Sequence, residues 1–197
     1  MPWHRFDRAT LPATPWKNGG GVTREIVCQP PGAGLDAFDW RVSIATIASD
    51  GPFSLFAGID RVITLLEGGG VHLSGDADAI DHRLDTPLQP YALAGEARIH
   101  ARLLAGDCDD FNVMTRRATC RASVTVLREA TTLHAPQGLL LALKGPWQAQ
   151  AEGHAAEALI AQQGLWWDRQ AAWRLNPQAA DATLLAVTIH PQTATPT

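Results

Sequence analysis

Short runs of alternating hydrophobic and polar residues, bounded by glycine, proline, asparagine or aspartate, repeat along most of the chain. Residues 38–47 alternate cleanly, and residues 62–66 are apolar on both faces before the glycines at 68–70 end the run. A period of two is typical of β-strands, and a strand that is apolar on both faces needs cover on two sides. The spacing of the turns predicts an all-β protein built as an antiparallel sandwich or barrel.

Three segments have less regular patterns. Residues 50–52 (Asp-Gly-Pro) predict a chain reversal, and the apolar residues 53–56 predict a short strand after it. Residues 154–164 combine helical propensity with the strand rhythm of their neighbours, and we favour a strand. The segment 15–27, Pro-Trp-Lys-Asn-Gly-Gly-Gly and onward, is a loop between strands or a loop that contacts a ligand.

The strand rhythm restarts near Ala122. We therefore expect two units, residues 1–118 and residues 119–197, with strands that the two units can share. The second half carries few polar residues that could converge on a ligand, so the first half is expected to hold the site and the second to cover it.

Composition excludes several classes of function. The chain has 197 residues, 46% hydrophobic and 18% charged, and its net charge is −4 without a cluster of basic residues. Nucleic acid is therefore not an expected partner. No apolar run approaches the roughly 20 residues of a membrane span, and the first ten residues contain no hydrophobic signal region, so we expect a cytoplasmic protein without a membrane partner. The three cysteines are expected to be reduced.

The residues also argue against the commonest kinds of catalytic site. The seven histidines form no His-x-His, His-x-x-His or His-x-x-x-Glu group, so we predict no bound metal and no cofactor. Cys108 lies among Asp107, Asp109 and Asp110, whose charges disfavour a thiolate. No Gly-x-Ser-x-Gly motif is present. The acidic turn at 107–110 is more typical of a solvated surface than of an acid–base pair, and we assign no catalytic residue.

Polar side chains at the predicted strand ends suggest a different chemistry. If several converge, arginine and lysine supply charged donors while asparagine, serine and threonine orient a small anion, for which a carboxylate fits best. The candidate ligand-binding residues are Lys17, Asn18, Arg24, Arg41, Ser43, Arg61, Asn112, Thr115 and Arg116. The alternative is a structural network of ion pairs with Glu25, Asp60 and Glu67.

Three blocks, at residues 15–26, 38–68 and 106–117, resemble the HutD/Ves family. The resemblance implies a cupin fold with two jelly-roll β-barrel or sandwich units in one chain, a bicupin. It also implies a link to bacterial histidine utilisation, in which such proteins are thought to bind a small acidic compound such as formylglutamate and to moderate the pathway; Ves-like relatives are described as stress-induced. Metal-binding cupins carry His-x-His and a glutamate in their first motif, whereas residues 58–62 here read Gly-Ile-Asp-Arg-Val.

The leading hypothesis is a non-catalytic cupin that binds a small anionic metabolite, with enzymatic activity not expected but left open. The alternative is a hydrolase or isomerase acting on a small organic acid, with Asp107, Asp110 or a histidine as general base. A third is a structural or interaction protein without converging arginines. The seven tryptophans could lie in the core or at a homodimer interface.

Overall fold

The computed structural model describes residues 3–75 and 80–192, and nearly all of their regular structure is β-strand. The all-β prediction is confirmed. Two compact units are present, one formed by residues 12–120 (unit A) and the other by the residues up to Leu11 together with those from Arg121 onward (unit B). Within the described residues, no helix has the length and apolar character needed to cross a membrane.

Unit A consists of two antiparallel sheets. The elements of this unit are β2 (Ala13–Pro15), β3 (Gly21–Gln29), a short helix α1 (Gly34–Ala37), β4 (Trp40–Ile47), β5 (Gly51–Pro52), β6 (Ile59–Gly68), β7 (Val71–Gly75), β8 (Asp81–Leu84), β9 (Pro90–Ala94), β10 (Ile99–Leu103) and β11 (Cys108–Arg116). The six-stranded sheet has the order β2-β3-β4-β11-β6-β9, and the four-stranded sheet has the order β5-β10-β7-β8.

The two sheets of unit A share one hydrophobic core. Ile63 and Leu65 of β6 pack in the same cluster as Leu73 of β7 and Ile99 of β10, and all four are buried. Residues from facing sheets in one cluster define a sandwich whose inner faces meet. Strand β6 is the longest in the unit, and its residues 63–66, which include both faces of the strand, are buried, as expected for a strand that needs cover on two sides.

Unit B is also a pair of antiparallel sheets. Its elements are β1 (Trp3–Asp7), a 3-10 turn (Arg8–Thr10), β12 (Cys120–Leu127), β13 (Thr131–Ala135), β14 (Gln137–Lys144), β15 (Trp147–Ala151), β16 (Ala156–Leu159), β17 (Gln163–Trp167), β18 (Ala171–Pro177) and β19 (Thr183–Pro191). The five-stranded sheet has the order β1-β17-β14-β19-β12, and the four-stranded sheet has the order β13-β18-β15-β16. Because β1 is hydrogen-bonded to β17, this unit contains two separate segments of the chain.

Of two local predictions, the structure agrees with one and contradicts the other. Residues 154–164 contain a strand, Ala156–Leu159, and a turn in which Gln162 has a positive φ of 74°, as the strand alternative required. The predicted strand at residues 53–56 is wrong. Within the described segment 51–56, Gly51 and Pro52 pair with β10, and the residues that follow make isolated hydrogen bonds, from Phe53 N to Ile99 O and from Phe56 N to Gly95 O.

Candidate functional site

The inner face of the six-stranded sheet carries an unusual set of polar side chains. Arg41 of β4 is in register with Met114 of β11, and Met114 is in register with Arg61 of β6. The next two rows on this face are Ser43, Asn112 and Ile63, and then Ala45, Asp110 and Leu65. We call Arg41, Ser43, Arg61, Asp110 and Asn112 the inward polar cluster, because a period of two places them on the face that also carries the core.

Arg41 is buried and held by three neighbours. Its Nε donates to Glu25 Oε2 at 2.7 Å, its Nη1 donates to Ser43 Oγ at 3.3 Å, and the same Nη1 lies 4.0 Å from Met114 Sδ. The Glu25 side chain is about half exposed, so this ion pair lies at the rim of the cluster rather than deep inside it. The pair fixes the guanidinium and neutralises much of its charge.

Arg61 is only 7% exposed and has no carboxylate in direct contact among the residues that the structure describes. Its Nε donates to Asn112 Oδ1 at 3.4 Å, and its guanidinium carbon lies 5.0 Å from the centre of the Phe53 ring and 5.9 Å from that of Phe56. Aromatic faces attract a cation but accept few of its N–H groups. The terminal nitrogens of Arg61 therefore remain donors for an anion.

Burial lowers the pKa of Arg61, the nearby carboxylate of Asp110 opposes that change, and the charge of Arg41 adds to it. Because a guanidinium keeps its proton at any physiological pH, the practical result is a buried positive charge with incomplete compensation. A buried charge of this kind is costly unless something pairs with it.

Asp110 is the acidic member of the inward polar cluster and is 2% exposed. Its Oδ1 has no hydrogen-bond partner among the residues that the structure describes. Burial raises the pKa of Asp110 to about 6, the charge of Arg61 opposes that rise, the charge of Asp109 adds to it, and the backbone amide of Ala45 opposes it. The carboxyl group is therefore poised to change protonation near neutral pH.

The structure brings together four of the nine predicted ligand-binding residues, namely Arg41, Ser43, Arg61 and Asn112. Each of the four is buried, and each lies in one of two adjacent rows on the same face. Their side chains come from β4, β6 and β11 and lie on one face of the sheet.

The other five residues lie elsewhere. Thr115 is buried on the opposite face of β11, in the row of Trp40 and Asp60. Arg116 donates to the carbonyl oxygens of Phe38 and Asp36, and Arg24 donates to Thr46 Oγ1.

Lys17 and Asn18 are exposed in the glycine loop. Asn18 Oδ1 accepts from Gly20 N at 3.0 Å, which closes the turn. In the same loop, a methyl group on Gly21 would lie 2.2 Å from Thr46 O, so this glycine is required for packing against β4. The contacts of this loop therefore support its structural interpretation.

Sequence reasoning missed several members of the site. The sequence interpretation treats Asp110 only as a possible acid or base, Glu25 only as an ion-pair partner, and Phe53 and Phe56 only as strand residues. The sequence feature that could have identified Asp110 is its position two residues before Asn112 in one strand, because alternate residues of a strand lie on the same face. The cover that the two phenylalanines provide over Arg61 had no signal in the sequence.

The histidines do not converge. His82 stacks on Tyr91 with ring centroids 3.7 Å apart, whereas His72 contacts Asp81 and His100 is exposed. Across residues 3–75 and 80–192, no group of three or more histidine, cysteine, aspartate or glutamate residues is arranged to hold a metal ion.

Two surface depressions are lined by other residues. One, of about 410 Å³, lies at Pro52, Phe53, Leu55, Arg98, Ile99 and their neighbours, and the other, of about 350 Å³, lies at Gly58 and residues 116–118. The residues that line them do not include the inward polar cluster. Phe53 lines the first depression and also lies over Arg61, so this ring separates the cluster from the surface there.

The antiparallel β architecture of this chain is similar to the cupin fold. The cupin 2 conserved barrel domain protein from Leptotrichia buccalis, 8% identical, aligns with 95% of this chain and 96% of its own at a TM-score of 0.61, which shows the fold alone.

The chain belongs to the HutD family, whose match spans residues 8–185. Protein Ves from Cronobacter sakazakii is 44% identical over 82% of this chain and 85% of its own. A conserved protein of unknown function from Pseudomonas aeruginosa PAO1 is 33% identical, with a TM-score of 0.84 over 96% of this chain and 99% of its own. HutD from Pseudomonas fluorescens SBW25 is 28% identical, with a TM-score of 0.81 over 97% and 100%. The resemblance to the HutD/Ves family is confirmed.

Proposed function

We propose that this protein is a non-catalytic receptor for a small carboxylate, which it binds in unit A, and that it moderates histidine utilisation in the cytoplasm. The two units would act as a bicupin in which only the first holds ligand. A single observation carries the proposal: Arg61 is buried, its charge is incompletely compensated, and its Nε donates to Asn112 Oδ1.

A carboxylate matches this environment in charge and in shape. A guanidinium offers two parallel N–H groups to the two oxygens of a carboxylate, and such charged hydrogen bonds are among the strongest in proteins. Binding an anion would also relieve the cost of the buried charge on Arg61. The HutD structure from Pseudomonas fluorescens is described as a formate condition, and formate is the smallest carboxylate, which fits the same proposal.

Formylglutamate is the ligand that the family's link to histidine utilisation favours. Its two carboxylates provide more charge than a single arginine requires, so the second carboxylate would lie toward Arg41 or toward solvent. Isothermal titration calorimetry with formylglutamate, glutamate and urocanate tests the proposal, and binding of at least one of them is expected.

Variants make the test specific to the site. Arg61→Met should abolish the heat of binding, and Arg61→Lys should weaken binding because a single ammonium group cannot form the paired contact. Arg24→Met is the matched control, since Arg24 contacts Thr46 outside the inward polar cluster. No heat from any of the three compounds, or equal affinity in Arg61→Met and wild type, would contradict the proposal.

Asp110 is the observation that favours a second candidate, an enzyme acting on a small organic acid. A buried carboxyl group whose pKa is raised to about 6 can serve as a general acid or base. Incubating the protein with the same three compounds and following their depletion by proton NMR separates the candidates. Loss of substrate that stops in Asp110→Asn would favour the enzyme, and binding without depletion would favour the receptor. Metal analysis of the purified protein complements this test.

A further inference from the structure

Asp110 lies where an anion bound to Arg61 would meet it. The guanidinium of Arg61 reaches along the sheet to Asn112, and Asn112 is the next residue after Asp110 on the same face of β11. An anion on the terminal nitrogens of Arg61 would therefore share its surroundings with the Asp110 carboxyl group, which is 2% exposed and has one oxygen without a partner.

Two carboxylates cannot both stay ionised in such a place. Like charges a few ångströms apart in a buried site raise the pKa of one of them strongly, and the pair then shares one proton. The proton also solves a hydrogen-bonding problem, because a protonated carboxyl group gains a donor that it can direct at an oxygen of the ligand. Arg61 then balances a single negative charge instead of two.

We propose that Asp110 takes up a proton when a carboxylate binds to Arg61, so that unit A binds the anion and a proton together. This inference rests on the proposed function, because it concerns the same site. It assigns to Asp110 a role as a binding residue in its neutral form, in which it donates a hydrogen bond to the ligand.

Among the groups that surround the proposed anion, Asp110 is the one whose protonation should change on binding. Arg61 and Arg41 are guanidinium groups, and Arg41 is paired with Glu25 of β3. On β11 itself, burial raises the pKa of Cys108 to about 11, so this thiol stays neutral, and Asp109 points to the other face of the strand. From the facing sheet, His82 shares the inward side but stacks on Tyr91 of β9.

In the protein without ligand, Asp110 is already close to the pH range in which it takes up a proton. The pKa of Asp110 is raised to about 6 before any ligand arrives, so at pH 7.5 the group is mostly ionised. A further rise on anion binding would leave it protonated, with uptake of close to one proton. The affinity for the anion should then fall by up to about tenfold for each pH unit above 6.

The inference also distinguishes classes of ligand. A carboxylate that presents only oxygen atoms to Asp110 requires the proton. A ligand that presents an N–H group to Asp110 would pair with the ionised carboxylate instead and would take up none. Measuring the proton therefore reports which part of the ligand faces this residue.

The experiment is calorimetry of wild-type protein at pH 7.5 with formate and with formylglutamate, in buffers that differ in their enthalpy of ionisation. The dependence of the observed heat on the buffer gives the number of protons taken up. We expect close to one for formate and the same for formylglutamate. In Asp110→Asn, anion binding should persist with no proton uptake and no pH dependence. Asp168→Asn, which changes an exposed carboxylate of unit B, is the matched control and should behave as wild type.

The possible results are separable. Binding in wild type without proton uptake from either compound would overturn the inference and leave the proposed function intact. Proton uptake that persists in Asp110→Asn would overturn it as well, because another group would be the acceptor. No binding of either anion would overturn both this inference and the proposed receptor. The wild-type measurement decides the matter even if the variant fails to fold.

Discussion

Asp110 should make the stability of unit A depend on pH in an unusual direction for a carboxyl group. Its pKa in the folded protein is raised from 3.8 to about 6, chiefly by burial. When the folded pKa exceeds the unfolded one, the favourable contribution is complete below the unfolded value and is lost as the pH rises through the folded value. Replacing Asp110 with asparagine, which cannot ionise, should therefore stabilise the protein relative to wild type as the pH increases.

The magnitude follows from the two pKa values. A difference of about two pKa units corresponds to about 3 kcal/mol in the free energy of unfolding. Roughly half of this penalty is present at pH 5 and nearly all of it at pH 7. An asparagine amide without partners adds a cost of about 1–3 kcal/mol, but that cost is the same at every pH. The difference in stability between variant and wild type should therefore grow by about 1.5 kcal/mol from pH 5 to pH 8.

Urea denaturation followed by tryptophan fluorescence measures this quantity. Wild type, Asp110→Asn and the control Asp168→Asn, which changes an exposed carboxylate of unit B, would each be unfolded at pH 5, 6, 7 and 8. The control should follow wild type. A stability difference between Asp110→Asn and wild type that stays constant over this range would refute the raised pKa and, with it, the view that the carboxyl group is buried beside an incompletely compensated arginine.

Two further predictions concern packing and the thiols. Gly164→Ala should destabilise unit B by about 2–3 kcal/mol, because the added methyl group would lie 2.2 Å from the Phe6 ring and 2.3 Å from Leu140 O. In the control Gly51→Ala, the nearest atom to the added methyl group would be 4.0 Å away, so the urea midpoint should change little. Burial raises the pKa of Cys28, Cys108 and Cys120; iodoacetamide at pH 7.5 should therefore label the half-exposed Cys28 first and the other two only in urea. Rapid labelling of all three thiols in the native protein would contradict the burial.

The strands were predictable where a local pattern decides the structure. Residues 38–47 and 62–66 alternate or stay apolar in the way that a covered strand requires, and they form β4 and the middle of β6. The prediction failed at residues 53–56 because an apolar run is compatible with a strand but does not enforce one. There the rings of Phe53 and Phe56 lie over Arg61, a demand set by a distant residue.

The candidate site was predictable only in part, because its geometry depends on which strands pair. The alternation of residues 38–47 places Arg41 and Ser43 on one face of a strand. Their proximity to Arg61 follows instead from the strand order β4-β11-β6, which depends on long-range pairing. Arg116 has the same parity as Asn112, yet it lies at the strand end and donates to Phe38 O. The sequence interpretation treats the acidic turn at 107–110 as more typical of a solvated surface than of an acid or base, whereas β11 already begins at Cys108, so Asp110 lies within a strand.

Under the proposed function, Arg61 would suit the interior of unit A to an anion instead of a cation. Metal-binding cupins carry histidines in their first motif, and a neutral imidazole lends a lone pair to a metal. Residues 58–62, the stretch that the family resemblance places at that motif, contain Arg61 instead, and a guanidinium has five donors and no lone pair, so it would repel a cation and attract an oxygen anion. Aromatic cover from Phe53 and the nearby Asp110 carboxyl group help one buried positive charge to persist, and the proposed anion would then pair with it.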